Sequence, residues 1–207
     1  FNAKGSLGKR INDYLLARDI DGQLYFTRGK NLTRYDPVSK KEFIIPNAEE
    51  FTTHCITLIH DTIWIGTNLG AGQIIGDSIQ WVYKNKFPND HYGIKSICKD
   101  GQGNLWLGSY FQLYRFSPSA GQTDSFPLLQ NMDIRDIQLI RNKIFIGTYG
   151  NGYFIYHDDQ LIAMPKGRSL ELSNTHTFIE DKDGYLWMST NRGLYKTHME
   201  AVEAFLK

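Results

Sequence analysis

Three basic side chains, Lys95, Arg135 and His176, recur at nearly even intervals. Each stands near the start of a short apolar run: "IKSIC" (94–98), "IRDIQLI" (134–140) and "THTFI" (175–179). Ammonium and guanidinium groups brought together suit carboxylate or sulfate groups, Arg through a fixed two-pronged donor fork. His54, Asp133 and Asn174 flank the same positions, and Tyr92 supplies a ring on which a sugar can stack. This is chemistry for holding a ligand. Chemistry for breaking bonds is not evident: the chain has no HExxH, GxSxG, Walker A or GxGxxG pattern. The histidines (54, 60, 91, 157, 176, 198) show no tight ligand spacing, and "HDD" (157–159) suits a turn. "DIDGQ" and "DKDGY" lack the DxDxDG series and downstream Glu of a calcium loop. They suit hairpins in which Asp caps backbone amides and Gly takes a positive φ. Neither a metal nor a cofactor is expected. Asp13, Asp133 and Asp136 are the acids from which a glycosidase-like carboxylate pair would have to come.

The elements that position these residues are repeats. "GYLWMSTN" has four relatives: "GQLYFTRG", "DTIWIGTN", "GNLWLGSY" and "NKIFIGTY". Their aromatic anchors are Tyr25, Trp64, Trp106, Phe145 and Trp187, separated by 39, 42, 39 and 42 residues. Each unit begins with an apolar run, followed by a polar turn and the aromatic strand. A turn, usually bearing glycine, comes next ("NLGAG", "YGNG", "NRG"). A third strand succeeds it ("LTRY", "QLYRF", "YFIYH", "GLYK") and then a fourth ("EFII", "IQWVY", "DSFPL", "LIAM"). Four short antiparallel strands in about 40 residues is the pattern of a β-propeller blade. The fold class expected is all-β, a propeller of about five four-stranded blades. The repeats run over approximately 12–45, 54–83, 93–128, 133–164 and 174–198. A short helix follows over 199–207, with Met199, Val202, Phe205 and Leu206 on one face. The anchors are expected to fill the wedges between blades, and the small residues two places on (Gly66, Gly108, Gly147, Ser189) to let sheets pack closely. Aligning the innermost strands puts Tyr14, Ile56, Lys95, Arg135 and His176 in one column, at the mouth of the central channel, where blades converge and ligands bind. The alternative for the same column is a wet channel mouth that tolerates any polar residue.

Composition narrows the partners. The 207 residues are 41% hydrophobic and 22% charged, enough for a packed core, and Lys plus Arg (23) balances Asp plus Glu (22). No basic stripe argues for nucleic acid, and no apolar run is long enough to span a membrane. Cys55 and Cys98 lie in apolar runs and suit small buried hydrophobes better than a disulfide. A chain starting at Phe1 is expected to be an excised or processed segment, and five repeats between ragged ends suit a piece of a larger ring.

"EDKDGYLWMSTNRGLYK" (180–196), "KDGQGNLWLGSYFQLYRF" (99–116) and "HDTIWIGTN" (60–68) resemble the two-component regulator propeller repeat. "RNKIFIGTYGNGYFIY" (141–156) follows with Phe for Trp. "RDIDGQLYFTRGKNLTRY" (18–35) departs most, with Thr27 and Arg28 where Gly and Thr are usual. The resemblance covers residues 12–198. It implies a segment of a seven-bladed ring in the extracytoplasmic, periplasmic sensor half of an inner-membrane hybrid histidine kinase or diguanylate cyclase. It also implies oligosaccharide ligands, neighbouring blades and domains of the same protein as partners, and a homodimer. Two other readings stay open: a propeller enzyme, either a glycosidase or a relative of the streptogramin lyases, and a propeller that only binds proteins.

Overall fold

The computed structural model describes residues 16–28, 31–46, 50–86, 93–167 and 170–206. They form five antiparallel sheets in sequence order, each strand pairing with the next along the chain. The first blade holds β1 (Leu16–Arg18), β2 (Leu24–Arg28), β3 (Asn31–Asp36) and β4 (Lys41–Ile44). The second holds β5 (Thr53–Ile59), β6 (Thr62–Thr67), β7 (Gly70–Ile75) and β8 (Ser78–Lys84). The third holds β9 (Ser96–Lys99), β10 (Leu105–Gly108), β11 (Leu113–Ser117) and β12 (Gln122–Ser125). The fourth holds β13 (Ile134–Ile140), β14 (Lys143–Thr148), β15 (Tyr153–His157) and β16 (Gln160–Ala163). The fifth has three strands, β17 (Thr175–Glu180), β18 (Tyr185–Thr190) and β19 (Gly193–His198), followed by helix α1 (Met199–Phe205). The first strand of each sheet packs against the first strand of the next, β1 on β5, β5 on β9, β9 on β13 and β13 on β17. That serial packing of inner strands is what arranges blades about an axis. Among the described residues β17 and β1 make no comparable contact.

Two devices recur among the blades, the first in the third and fifth and the second in the second to fifth. At the turn after the inner strand an Asp holds both the loop and the anchor. Asp100 Oδ1 accepts the Gln102 and Asn104 amides (3.0 and 2.9 Å), while its Oδ2 accepts the Trp106 indole N–H at 2.9 Å. Asp181 repeats this with the amides of Asp183 and Tyr185 and the indole of Trp187. These are the hairpins that the acidic phrases suggested, with a further bond to the anchor. The clipped turns at His60 and at Arg141–Asn142 take positive φ instead. At the other end of the anchor strand a hydroxyl staples the next turn: Thr67 to the Gly70 carbonyl, Ser109 to that of Gln112, Thr148 to that of Gly152, Thr190 to that of Gly193.

Between blades, the glycine before that hydroxyl lets the next inner strand come close. A Cβ on Gly66 would lie 2.2 Å from the Ile94 carbonyl oxygen, one on Gly108 2.6 Å from Ile134 Cγ2, and one on Gly147 2.6 Å from the Thr175 carbonyl oxygen. The Ile94 amide donates across the blade boundary to the Thr67 carbonyl and the Ile134 amide to that of Ser109 (3.0 and 2.9 Å). Tyr25, Trp64, Trp106 and Phe145 are buried in the wedges as expected. Trp187 is only half-buried. It shares its sheet face with Ile179 and Leu194, exposed at 63% and 64%, because no described blade follows to cover them.

Other expectations need correction. "DSFPL" is not a strand throughout: β12 ends at Ser125 and Pro127, which cannot donate to a ladder, opens a 3-10 turn. "NLGAG" is a turn only at Asn68–Leu69; Gly70 and Gly72 lie inside β7, where a Cβ at residue 70 would sit 2.0 Å from the Tyr83 carbonyl oxygen. In α1, Met199 and Val202 are buried, but Phe205 is 52% exposed, so the apolar face is narrower than its spacing suggested. Both cysteines are free thiols, and burial pushes each up to about 12.

Candidate functional site

The inner strands of three blades break their ladder at the same point. The register shifts between Thr53 and Cys55, between Ile134 and Asp136, and between Thr175 and Thr177. A β-bulge of this kind leaves one residue unpaired and re-aims its side chain. The bulged residues are His54, Arg135 and His176. Lys95 stands in the equivalent place of the third blade, its amide donating to the Gly108 carbonyl just before β9 begins. The structurally equivalent column is therefore His54, Lys95, Arg135 and His176, a basic residue from each of four successive blades. Ile56, which a simple alignment puts in that column, lies two residues further along and is buried in the core. His54 stands 41 residues before Lys95, in step with the 40 and 41 that separate Lys95, Arg135 and His176, whereas Ile56 breaks that interval at 39. Tyr14, Tyr92 and Asp13 lie outside the described residues.

Lys95, Arg135 and Asp133 meet directly. Asp133 Oδ1 accepts the Lys95 ammonium and its Oδ2 the Arg135 guanidinium Nη2, both at 2.7 Å, with side-chain exposures of 18%, 13% and 33%. The Lys95 bond crosses from the third blade to the fourth. Burial pushes the Lys95 ammonium below its ordinary value, and the Asp133 carboxylate opposes that push. Above the two cations lie two tyrosines that spacing alone did not single out. The Tyr110 ring centroid is 3.6 Å from Lys95 Nζ and that of Tyr149 is 4.9 Å from the Arg135 guanidinium carbon, both within cation–π range. Both rings are 39–49% exposed. Their signal is available in the sequence: each follows the glycine–hydroxyl pair of its blade ("GSY", "GTY"), where the second and fifth repeats have Asn68 and Asn191.

The remaining predicted residues support this layer. His176 Nε2 pairs with the Asn191 side-chain oxygen at 2.5 Å. Asn174 accepts the Gly150 amide at 2.7 Å, tying down the turn that carries Tyr149. The His54 ring packs against Gly93, where a Cβ would come within 2.2 Å of it. Asp136 belongs to the blade interface rather than the mouth. Its Oδ2 accepts the Thr177 hydroxyl at 2.7 Å and the Phe178 amide at 3.3 Å from the next blade, and Gln138 reaches both carboxyl oxygens. Burial raises its carboxyl above the ordinary range. Among the described residues no group of three or more His, Cys, Asp or Glu side chains is placed to hold a metal ion, and no helix is long and apolar enough to cross a membrane.

Residues 87–111 and 169–192 match the family described as two component regulator propeller. No curated protein matches the chain. Among solved structures, the chain is similar to the extracellular domains of two hybrid two component systems from B. thetaiotaomicron. One is 20% identical (TM-score 0.71, covering 89% of this chain and 26% of that one). The other is 21% identical (TM-score 0.67, covering 89% and 28%). It is also similar to virginiamycin B lyase from Staphylococcus aureus, at 14% identity and TM-score 0.69, covering 92% of this chain and 71% of the lyase. This chain thus spans little more than a quarter of either extracellular domain. The matched stretches fall on the third and fifth blades, the two that carry the Asp–Trp turns, and the chain is a β-propeller segment of which these two stretches match the two-component regulator propeller repeat.

Proposed function

We propose that this chain is the ligand-binding propeller segment of an extracytoplasmic sensor in a two-component regulator, and that it takes a small polar ligand such as an oligosaccharide at the channel mouth. One observation supports the reading: four successive blades carry a basic residue at the same inner-strand position, three of them at a bulge, and two half-exposed tyrosine rings stand over two of these cations. Rigid aromatic faces beside hydrogen-bonding groups are what a sugar ring needs for stacking and orientation. Of the three acids named for catalysis, the two among the described residues favour binding. Asp133 is held by two cations and Asp136 is consumed by contacts to Thr177 and Phe178, so neither carboxyl is placed as a general acid or base. Occupancy would act on the rest of the receptor by favouring one arrangement of neighbouring blades or protomers over another. Titration calorimetry of the chain against a panel of oligosaccharides tests this, with Tyr110→Ala and Tyr149→Ala as companions. Binding that both substitutions weaken is expected. No heat with any saccharide, or turnover of one, would sink it.

A further inference from the structure

The charge arrangement at the mouth specifies more than a sugar. A guanidinium and an ammonium share a single carboxylate, so with Lys95 protonated the cluster keeps one positive charge before either histidine is counted. The Arg135 fork is also only partly used. Its Nη2 donates to Asp133, whereas its Nε is buried and has no hydrogen-bond partner among the described residues. Buried donors are almost always paired, and an orphan at the mouth of a channel marks a place for an acceptor that arrives from outside. The Nε and terminal nitrogens of a guanidinium together match the two oxygens of a carboxylate or a sulfate. Asp133 already supplies one oxygen to each cation but does not reach the Arg135 Nε, so it fills only part of the place that such an anion would take.

We infer that the ligand carries an oxyanion group, a carboxylate or sulfate, which is received by Arg135 and Lys95, and that Asp133 occupies that place until the ligand displaces it. The inference rests on the mouth being the ligand site, and it names the ligand's chemical class. Displacement has a mechanical consequence. The Lys95–Asp133 contact joins the third blade to the fourth, so exchanging Asp133 for a ligand anion releases one inter-blade tie and replaces it with a ligand bridge. Tyr110 and Tyr149, lying over the two cations, must shift with it. Specificity follows from the same exchange: a neutral saccharide cannot compete with Asp133 for the cations, whereas an acidic one can.

The test is calorimetric titration of the full chain with an oligogalacturonate, with its neutral galactose counterpart and with sodium sulfate. The unsubstituted chain should bind the oligogalacturonate, with an affinity that falls as salt rises, in preference to the neutral saccharide. Asp133→Asn removes the internal competitor while keeping a side-chain oxygen, and it should bind the acidic saccharide about tenfold more tightly. Arg135→Lys keeps the charge but loses the fork and should bind at least about tenfold more weakly. Melting curves identify any variant that fails to fold, and the salt dependence of the unsubstituted chain then decides in its place. Equal affinity for neutral and acidic saccharides, or weaker binding by folded Asp133→Asn, overturns the anion inference and leaves the oligosaccharide reading standing. Sulfate bound with every saccharide silent supports the anion site and overturns the oligosaccharide reading. No binding of any probe overturns both.

Discussion

The two rims of this propeller are built from the same repeat and behave differently. At the rim where inner strands turn back, the third and fifth blades use one solution: an aspartate takes two amides with one oxygen and the anchor indole with the other. At the channel-mouth rim the scaffold is equally regular, with a hydroxyl staple in four blades and a bulge in at least three. Its outward side chains vary: His54, Lys95, Arg135 and His176 in the bulge column, and Asn68, Tyr110, Tyr149 and Asn191 in the turns. The lesson is a division of labour. Repeated residues satisfy the backbone, which needs the same thing in every blade, whereas varied residues on a fixed frame are free to face a ligand that needs something different from each.

The division can be broken from either side. Trp106→Ala should have the largest effect, about 3–5 kcal/mol of lost stability, because a fully buried anchor leaves a cavity between the third and fourth blades. Chemical denaturation measures it. Asp100→Ala should cost about 1–3 kcal/mol by stranding the Trp106 indole and two amides. A folded Asp100→Ala chain that loses ligand affinity while Tyr149→Ala keeps it would contradict the assignment of the rims. Asp136 sharpens the boundary between them. Its raised carboxyl means that the folded state prefers the protonated form, so its contribution is fully present below the ordinary value of 3.8 and is lost as pH rises through the folded value. Relative to the unsubstituted chain, Asp136→Asn should therefore gain stability as pH rises from 3.8 through the raised folded-state value. A stability difference that does not change with pH would mean that Asp136 is not desolvated as described. Tyr149→Ala should be the mildest for the fold, within about 0.5 kcal/mol by melting, since its ring is half-exposed. Its ligand affinity should nonetheless fall, and an unfolded Tyr149→Ala chain would erase the distinction.

The legible parts of the molecule are those that recur. Anchor spacing and the Asp–Gly turns yield the blades because every blade must close the same ladders and wedges, and those demands leave identical residues at identical intervals. Lys95, Arg135 and His176 are legible as a column because their intervals of 40 and 41 residues follow the period, with Asp133 flanking Arg135. His54 keeps the interval, 41 residues before Lys95, and it is the register of the inner strand that sets it in the column in place of Ile56. Tyr110 and Tyr149 interrupt the repeat, standing where the second and fifth repeats have Asn68 and Asn191, and that interruption is their signal. Trp187 was assigned a wedge by analogy, and its half-exposure depends on what packs beyond it.

By itself, the sequence determined the propeller architecture, the order of the blades, the close-packing glycines and the presence of basic residues near one end of the inner strands. These are local and periodic properties, set by hydrogen-bond closure and side-chain volume within a single repeat. Tertiary structure alone decided that Asp133 neutralises two cations from neighbouring blades, that the Arg135 Nε is left without an acceptor, and that Asp136 serves the blade interface instead of the mouth. Those outcomes depend on distances between residues some 40 positions apart and on which contacts exclude water, and both arise only when one blade is set against the next.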